Sequence, residues 1–383
     1  MTAAIDRNML AGKKIGLLTA SASRLGGGVF EATILQARLI RALGGTVEVF
    51  ALDDAFGPED APRFEGARVH HARVIGPRQI GLAPGLVGQL LAADLDCLHL
   101  HGIWMYPSLA AAIWARASAG AYLISPHGML DPWITARGRL KKQLARWGYE
   151  RRSWKRASRF HALTGREALD IERETGRTNA LVIPNPGPAA EARPRSSRGS
   201  AFVYIGRIHR KKNLMALVHA WNLASRPEEA RLVIAGWGED DLIADLRREI
   251  AAGDGTVHYV GPVYGTEKQA LLESAGWTIL PSFSEGLPMA ILESWAAGTP
   301  TIMTDQCNLP EGLAAGAALQ CGYDAPAIET ALARACVMTD GEWAAMSAAA
   351  SALAATTFSF EMVAQRWGET YAGVIANNPR RPS

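Results

Sequence analysis

Cysteine is scarce in this chain. The four residues present in 383, Cys97, Cys307, Cys321 and Cys336, form neither a CxxC pair nor a zinc-like cluster. A disulfide framework is thereby excluded, and a reduced, intracellular location is expected. Charge of one sign is not in excess either. Lys plus Arg is 40 against 37 for Asp plus Glu, a balance that excludes a dedicated nucleic-acid binder. No apolar run reaches the ~18–20 residues that span a bilayer. The longest, Leu109 to Ile124, is interrupted by Arg116, and the Ala-rich tract at 344–355 is short and weakly hydrophobic. Asp6, Arg7, Lys13 and Lys14 surround only short apolar stretches, unlike a secretory leader. What is present is ordinary: 48% hydrophobic and 20% charged residues, enough apolar surface to offset chain entropy over most of the length. Length alone sets an expectation of two or three domains.

Strand and helix signals alternate. Lys14–Ala20, Val47–Leu52, Cys97–His101 and Ala121–Ser125 are short apolar runs that read as buried strands. A helical period in Phe30, Ile34, Leu35, Leu39 and Ile40 ends at Gly44-Gly45, and Ser108–Ala119 is helical. The rhythm stops at Pro184-Asn-Pro-Gly-Pro188. Residues 189–200, rich in Pro, Arg, Ser and Gly, read as an interdomain linker. It then resumes with strands at Ala201–Ile205, Arg231–Ala235, Val257–Val260, Trp277–Leu280 and Thr299–Thr304. Such βαβ rhythm implies parallel sheets covered by helices. The expected architecture is α/β: two doubly wound, Rossmann-like domains, 1–188 and 199–357, facing each other across a cleft. Residues 358–383 supply a C-terminal helix with Val363, Trp367, Tyr371 and Ile375 on one face, packing back onto the first domain, and a tail.

The sharpest motif is Pro281-Ser-Phe-Ser-Glu285-Gly-Leu-Pro288, continuing Met-Ala-Ile-Leu-Glu293-Ser-Trp-Ala-Ala-Gly298-Thr-Pro300. Pro288 suits a first helical turn and Gly298 a helix stop. A helix starting just after Glu285-Gly286 directs its free amides and positive dipole end into the loop, making an anion site. Glu293 lies five residues past Pro288, a rise of ~7.5 Å. Two carboxylates then bracket an anion-attracting helix end, the layout of a nucleotide-sugar with hydroxyls on either side of its phosphates. In the competing reading Glu285 caps the helix and Glu293 is solvated. A second motif, Gly206-Arg207-Ile-His-Arg-Lys-Lys212-Asn213, leads from a strand end through a cationic loop into a helix. Arg207 and Lys212 can face one diphosphate and neutralise the charge that grows on it as a glycosidic bond breaks. A solvated basic turn is the alternative.

Weaker signals sit in the first half. Gly26-Gly27-Gly28 follows a strand and permits close backbone approach to a ligand, but it is not GxGxxG, so the dinucleotide fingerprint is absent. It serves equally as a flexible loop. Without that fingerprint Asp53-Asp54 reads as a turn. Ser125-Pro-His127-Gly128 follows a strand at the edge where ligands bind in open α/β sheets, which places His127 to touch a sugar or to serve structure; His101-Gly102 has the same placement. Asp94-Leu-Asp96 is formally a DxD, yet it precedes an apolar strand and reads as a surface turn, so no catalytic metal is expected. From Arg137 to Arg159 ten cations face Glu150 alone, and Leu140, Leu144, Trp147 and Trp154 recur at near-heptad spacing. That pattern describes a helix packed by the stripe with a solvated cationic face, or a contact with anionic lipid.

Taken together, the glycine loop, the His-Gly pair, the Gly-Arg…Lys loop and the Glu-x7-Glu element from Glu285 to Glu293 resemble glycosyltransferase family 4, retaining enzymes of the GT-B fold. The resemblance implies that the donor binds the C-terminal domain. Arg207 and Lys212 would hold the diphosphate, Glu285 the donor sugar beside Gly286, Leu287 and Pro288, and Glu293 the ribose. His127 would contact the sugar on the reacting side, with Gly27 or Gly28 near the phosphates or acceptor. This chain departs from the family at Asn213, where glycine usually follows the lysine, at Ser294-Trp295, and at Pro184-Asn-Pro186 in place of Pro-Asn-Gly. The implied reaction is metal-independent transfer with retained anomeric configuration from a nucleotide-diphosphate sugar to a glycan or lipid-linked hydroxyl, in cell-surface polysaccharide synthesis. The expected setting is the cytoplasm, peripherally on the membrane's inner face, with no cofactor. The alternatives are a GT-B nucleotide-sugar epimerase, a nicotinamide dehydrogenase disfavoured by the missing fingerprint, and a non-catalytic sugar-binding scaffold.

Overall fold

Each apolar run that follows a helical segment becomes a strand parallel to the last, because the crossover helix returns the chain to the same sheet edge. In the computed structural model, which describes residues 5–136, 138–190 and 195–378, seven such strands build the first sheet. They are β1 Lys14–Ser21, β2 Thr46–Leu52, β3 Arg68–Ala72, β4 Cys97–His101, β5 Ala121–Ser125, β6 Arg159–Ala162 and β7 Leu181–Val182, in the order β3-β2-β1-β4-β5-β6-β7. Six build the second: β8 Ala201–Ile205, β9 Arg231–Ala235, β10 Val257–Gly261, β11 Trp277–Leu280, β12 Thr301–Met303 and β13 Ala318–Gln320, in the order β10-β9-β8-β11-β12-β13. The pairs are parallel throughout. Strand order reverses beside β1 and beside β8, and in such sheets ligands gather at the carboxyl ends next to that reversal.

Each sheet carries its own core. Leu18, Phe50, Leu98, Leu100, Trp114 and Ile124 are buried in the first; Tyr204, Trp221, Leu232, Ile279, Trp295 and Trp343 in the second. Residues up to Asn185, together with those from Glu361 onward, make one compact unit, and Pro186–Phe360 the other. The stretch read as a linker is fastened over its described residues. Arg195 donates to the Ala275 carbonyl and Thr299 hydroxyl, and Arg198 to the carbonyls of Ala335 and Met338. It therefore belongs to the second unit; residues 191–194 of that stretch lie outside the described residues, as do Arg137 and the tail from 379.

The last helix, Phe360–Ala376, joins the first unit through a buried polar chain. β4 alternates Leu98 and Leu100 into the core with His99 and His101 on the other face. His161 Nε2 bonds the Ile183 carbonyl (2.8 Å), so it must donate, and its Nδ1 accepts from Ser125 Oγ (2.7 Å). Ser125 in turn accepts from His99 Nε2 (2.7 Å), whose Nδ1 accepts from the Tyr371 hydroxyl (2.7 Å), and Tyr371 accepts from Gln36 Nε2 (3.0 Å). Every proton in the chain has one place, and both imidazoles are neutral. Trp367 packs against both rings, its centroid 5.1 Å from His99 and 4.6 Å from His161. Among the four helical positions read from the sequence, Val363, Trp367 and Tyr371 are buried. Tyr371→Phe leaves His99 Nδ1 and the Gln36 amide without partners in a buried site. It should cost about 1–3 kcal/mol, read as a lower urea midpoint with an unchanged m-value; wild-type stability would contradict the directed chain.

Candidate functional site: the carboxyl edge of each sheet

β8, β11 and β12 are neighbours in the second sheet, so the loops leaving their carboxyl ends meet. Backbone bonds fix them to one another: Phe283 N donates to the Lys211 carbonyl (2.8 Å) and Glu285 N to that of Gln306 (3.0 Å). Asn308 Nδ2 donates to the Glu285 carbonyl (2.6 Å), and the Thr304 hydroxyl to that of Ser282 (2.7 Å). This framework brings Lys212 Nζ within 2.5 Å of Glu285 Oε1, with both side chains mostly withdrawn from solvent. Two residues 73 positions apart, one expected to meet phosphate and the other sugar, thus share a single point. An ammonium has three donors, so Lys212 can keep Glu285 and still reach an anion.

Helix Met289–Ala296 opens beside that pair. Pro288 does not occupy its first turn, as the sequence suggested; it is the preceding residue, in extended conformation (φ −76°, ψ 99°). A proline there still costs no helical hydrogen bond, and the helix start carries no side-chain cap. Ile291 N donates to the Pro288 carbonyl (3.0 Å), and the amides ahead of it, with the dipole, are left to act on an anion. Gly286 is open on its outer side, with nothing within 4 Å of where a Cβ would stand. Pro288 is buried and Leu287 packs on the core. Glu293 neither caps nor is left solvated alone. Its Oε1 meets Lys268 Nζ at 2.6 Å, a partner on helix Gly265–Ser274 that no sequence motif marked.

Arg207 lies at the end of β8 but is not joined to this pair. Its exposed guanidinium meets Glu239 at 3.5 Å. Its backbone is held, because the Tyr204 hydroxyl donates to the Arg207 carbonyl (2.8 Å) and Gly206 N to Ala235 (3.0 Å). Close approach of the β8 and β9 loops requires Gly236: its φ is +155°, and a Cβ would stand 1.7 Å from the Gly206 oxygen. Asn213 stands at φ +58°, the left-handed region that glycine fits best and asparagine tolerates next. Its amide also donates to the Tyr323 carbonyl (2.7 Å). The Ser294-Trp295 departure is equally accounted for: both side chains are buried, Ser294 bonding Thr278 (2.5 Å) and the Thr299 carbonyl (2.9 Å), and Trp295 filling the core.

In the first unit, His127 occupies a turn with φ +52°, followed by Gly128 at +74°. A non-glycine residue in this region is a strained position. Glu167 holds it there, with Oε1 accepting from Gly128 N (2.6 Å) and Oε2 from Leu163 N (2.8 Å). His127 Nε2 lies 2.9 Å from His101 Nδ1, the rings nearly parallel. Burial, with His161 nearby, pushes the His127 imidazole down to about 3, so it meets a ligand as a neutral group. The glycine loop is built by Asp54, which accepts from the hydroxyls of Ser21 (2.6 Å) and Ser23 (2.9 Å). Gly27 takes φ +52°, ψ −129° just before helix Gly28–Ala42, and both Gly27 and Gly28 have open space where a Cβ would be. A cavity of about 300 Å³ lies at this edge, lined by Gly26, Val29, Leu52, Met105, His101 and Met129 among others. Asp94 and Asp96 are at the opposite edge, where Asp96 accepts from Lys14 N (2.9 Å). Among the described residues no His, Cys, Asp or Glu group is arranged to hold a metal ion.

Both halves match known families. Residues 199–339 match the model described as Glycosyl transferases group 1, and residues 27–186 that described as Glycosyl transferase 4-like domain. The chain is 28% identical over 163 residues to the O-antigen chain mannosyltransferase B of Escherichia coli, covering 42% of this chain and 42% of that protein. To the GDP-mannose:cellobiosyl-diphosphopolyprenol alpha-mannosyltransferase of Xanthomonas campestris it is 26% identical over 291 residues, 73% and 75% of the two chains. The matches to the first two curated relatives span 42% and 49% of those proteins. Its fold is similar to that of Anabaena Alr3699/HepE in complex with UDP, with a TM-score of 0.76 at 16% identity, covering 94% of this chain and 100% of that one.

The histidines set a pH dependence. Burial lowers His99, His101, His127 and His161, the last to about 4. Their folded values lie below the unfolded ~6.5, so the unfolded chain binds more protons as pH falls. Stability is complete above ~6.5 and declines below it, by up to about 1.4 kcal/mol per pH unit for each imidazole that charges only on unfolding. Urea titrations between pH 7 and 5 should show the decline; a flat profile would contradict neutral burial of the cluster.

Proposed function

Because this chain belongs to the group 1 glycosyl transferases, GT-B enzymes of the family 4 type, we propose that it is a retaining transferase that moves a sugar from a nucleotide-diphosphate donor to a hydroxyl of a glycan or lipid-linked acceptor. The observation that carries this reading is the Lys212–Glu285 pair at the uncapped start of helix Met289–Ala296. The names of two relatives, an O-antigen mannosyltransferase and a mannosyltransferase acting on a diphosphopolyprenol, support an acceptor in cell-surface polysaccharide synthesis. They also put GDP-mannose first among donors to try.

In this reading the diphosphate lies against the first-turn amides and Lys212. Charge grows on the departing phosphate as the glycosidic bond lengthens, and fixed donors aimed at it lower the barrier. Arg207 exchanges its exposed partner Glu239 for phosphate, a small loss, since exposed ion pairs contribute little. Glu285 accepts from a sugar hydroxyl while holding Lys212 in place. Glu293, steadied by Lys268, accepts from the ribose. His127 is assigned to a sugar hydroxyl, and its neutral imidazole offers one donor and one acceptor. The acceptor oxygen attacks from the face the diphosphate leaves, and the departing phosphate oxygen takes its proton. Lysine and amides supply the positive charge at the leaving group, so no metal ion is required. Among the described residues no helix is long and apolar enough to cross a membrane. A lipid-linked acceptor brings the protein to the inner membrane face as a peripheral protein, through the basic segment that ends at Arg159.

A thermal-shift panel of UDP-, GDP-, ADP- and TDP-sugars should single out one base, since a bound donor raises stability by mass action. With that donor, Lys212→Ala should lower kcat/KM by ~2–4 kcal/mol of transition-state stabilisation, and Glu285→Ala should reduce turnover more than donor binding. Transfer should survive EDTA. Wild-type transfer by either variant, or free sugar produced without any acceptor at the rate of transfer, would overturn the assignment.

A further inference from the structure

The loop that leaves β4 carries a strained residue. Trp104 stands at φ +78°, a left-handed conformation that a bulky side chain keeps only when its surroundings hold it there. Two consecutive residues do so. Glu150 Oε1 accepts from Trp104 N (2.5 Å), and the Tyr149 hydroxyl donates to the Trp104 carbonyl (2.8 Å). The Trp104 indole donates to the Met129 carbonyl (3.2 Å). Tyr149 and Glu150 belong to a π-turn, Arg146–Glu150, between helices Arg139–Ala145 and Arg151–Arg156. Its extra residue shifts the helical phase. Glu150 and Trp154 are therefore buried, while Leu140, Leu144 and Trp147, which the spacing grouped with Trp154 in one packed stripe, stay exposed.

The loop clamped in this way supplies Gly102, Ile103 and Met105 to the cavity of about 300 Å³ at the carboxyl edge of the first sheet, with Met129 beside them. Leu52 and Val74 also line it, so its surface is largely apolar. Its polar side chains are mostly engaged already. Asp54 accepts from the hydroxyls of Ser21 and Ser23 and from Phe56 N, and Asp53 accepts from Val74 N. Arg78 donates to the Asp53 carbonyl, and the Ser108 hydroxyl faces Glu150. His101 is the exception. Its Nδ1 meets His127 Nε2 (2.9 Å), but its Nε2 is buried with no partner among the described residues. A buried polar atom left unpaired costs free energy that a ligand can return. Hydroxyls buried against these apolar side chains would be stranded, so the ligand group must be apolar apart from one hydrogen bond to His101. In the neutral imidazole Nε2 donates in one tautomer and accepts in the other. Among common substituents of a sugar ring, the acetamido group joins a methyl to both an N–H and a carbonyl, and so suits either tautomer.

We propose that this cavity is the subsite for the acetamido group of an N-acetylated acceptor sugar, its methyl against the apolar lining and its amide on His101 Nε2. The inference rests on the transferase reading above and adds to it the class of acceptor. Saturation-transfer NMR on the full chain, without donor, tests it with the methyl glycosides of N-acetylglucosamine and N-acetylgalactosamine beside those of glucose and galactose. An acetamido glycoside should bind about tenfold more tightly than its hydroxyl counterpart, with the acetyl methyl taking up the strongest saturation. His101→Phe should weaken that binding by about tenfold, the loss of one hydrogen bond. Val74 is only partly buried, and Val74→Phe narrows the cavity without touching the imidazoles. It should weaken binding by a similar factor, and it keeps the test decisive where His101→Phe does not fold. With the donor singled out by the thermal-shift panel, the acetamido glycoside should accelerate release of nucleoside diphosphate and its hydroxyl counterpart should not. Equal binding of the paired glycosides, no binding by any of the four, or acetamido binding indifferent to Val74→Phe would overturn the subsite and leave the transferase reading standing. Binding without acceleration would overturn the acceptor role. A donor panel in which no base responds would overturn the transferase reading, and the acceptor role with it, whatever the glycosides do.

Discussion

The ion pair between Lys212 and Glu285 is the point on which the second unit depends. It unites the loop after β8 with the loop after β11, and it does so only because the intervening backbone is fastened at Phe283, Glu285 and Asn308. A cation and a carboxylate at 2.5 Å, partly buried, hold each other's charge near the surface of a polar site. Either one alone there would carry a desolvation penalty with no compensation. The pair also supports the anion site proposed at the start of this small helix. Met289–Ala296 has no side-chain cap, so its amides and dipole remain available, and Lys212 adds a full charge beside them.

Much of this was legible from residue order, for physical reasons that can be named. The strands at Ala121–Ser125, Ala201–Ile205, Arg231–Ala235 and Trp277–Leu280 are largely apolar runs bounded by turn residues, as strands buried on both faces must be. β3, β6, β7 and β13 escaped notice because they are edge or near-edge strands; β3 is half polar, β6 is four residues long and opens on an exposed arginine, and β7 is only two residues long. The Glu-x7-Glu spacing announced two carboxylates bracketing one helix start. It did not announce Lys268, because a lone lysine on an amphipathic helix carries no signal until the fold brings Glu293 to it. Asn213 looked like a departure from pattern, yet its positive φ is one that glycine fits best and asparagine tolerates next. Heptad-like spacing misled at Trp154, since a π-turn breaks the helical period without any mark in composition.

In the first unit the same residue type serves two ends of one network. His99 and His161 tie the last helix to the sheet through Ser125 and Tyr371, and every hydrogen bond there has a fixed direction. His101 and His127 lie one step nearer the carboxyl edge, where the cavity opens. The β4 alternation that puts His99 against Tyr371 also puts His101 against His127. The fully enclosed His99 and the cavity-lining His101 are thus two positions on the same strand face, and no local sequence feature separates them. Glu167 completes the arrangement by holding the strained turn at His127, a role visible only once the helix that carries it packs beside β6 and β7.

The most direct measurement is the structure of the protein with its nucleotide diphosphate bound. The account predicts β-phosphate oxygens within hydrogen-bond reach of Lys212 Nζ and of the first amides of helix Met289–Ala296, with a ribose hydroxyl on Glu293. A diphosphate seated elsewhere, with Lys212 and Glu285 still closed on each other and the helix start facing solvent, would contradict it.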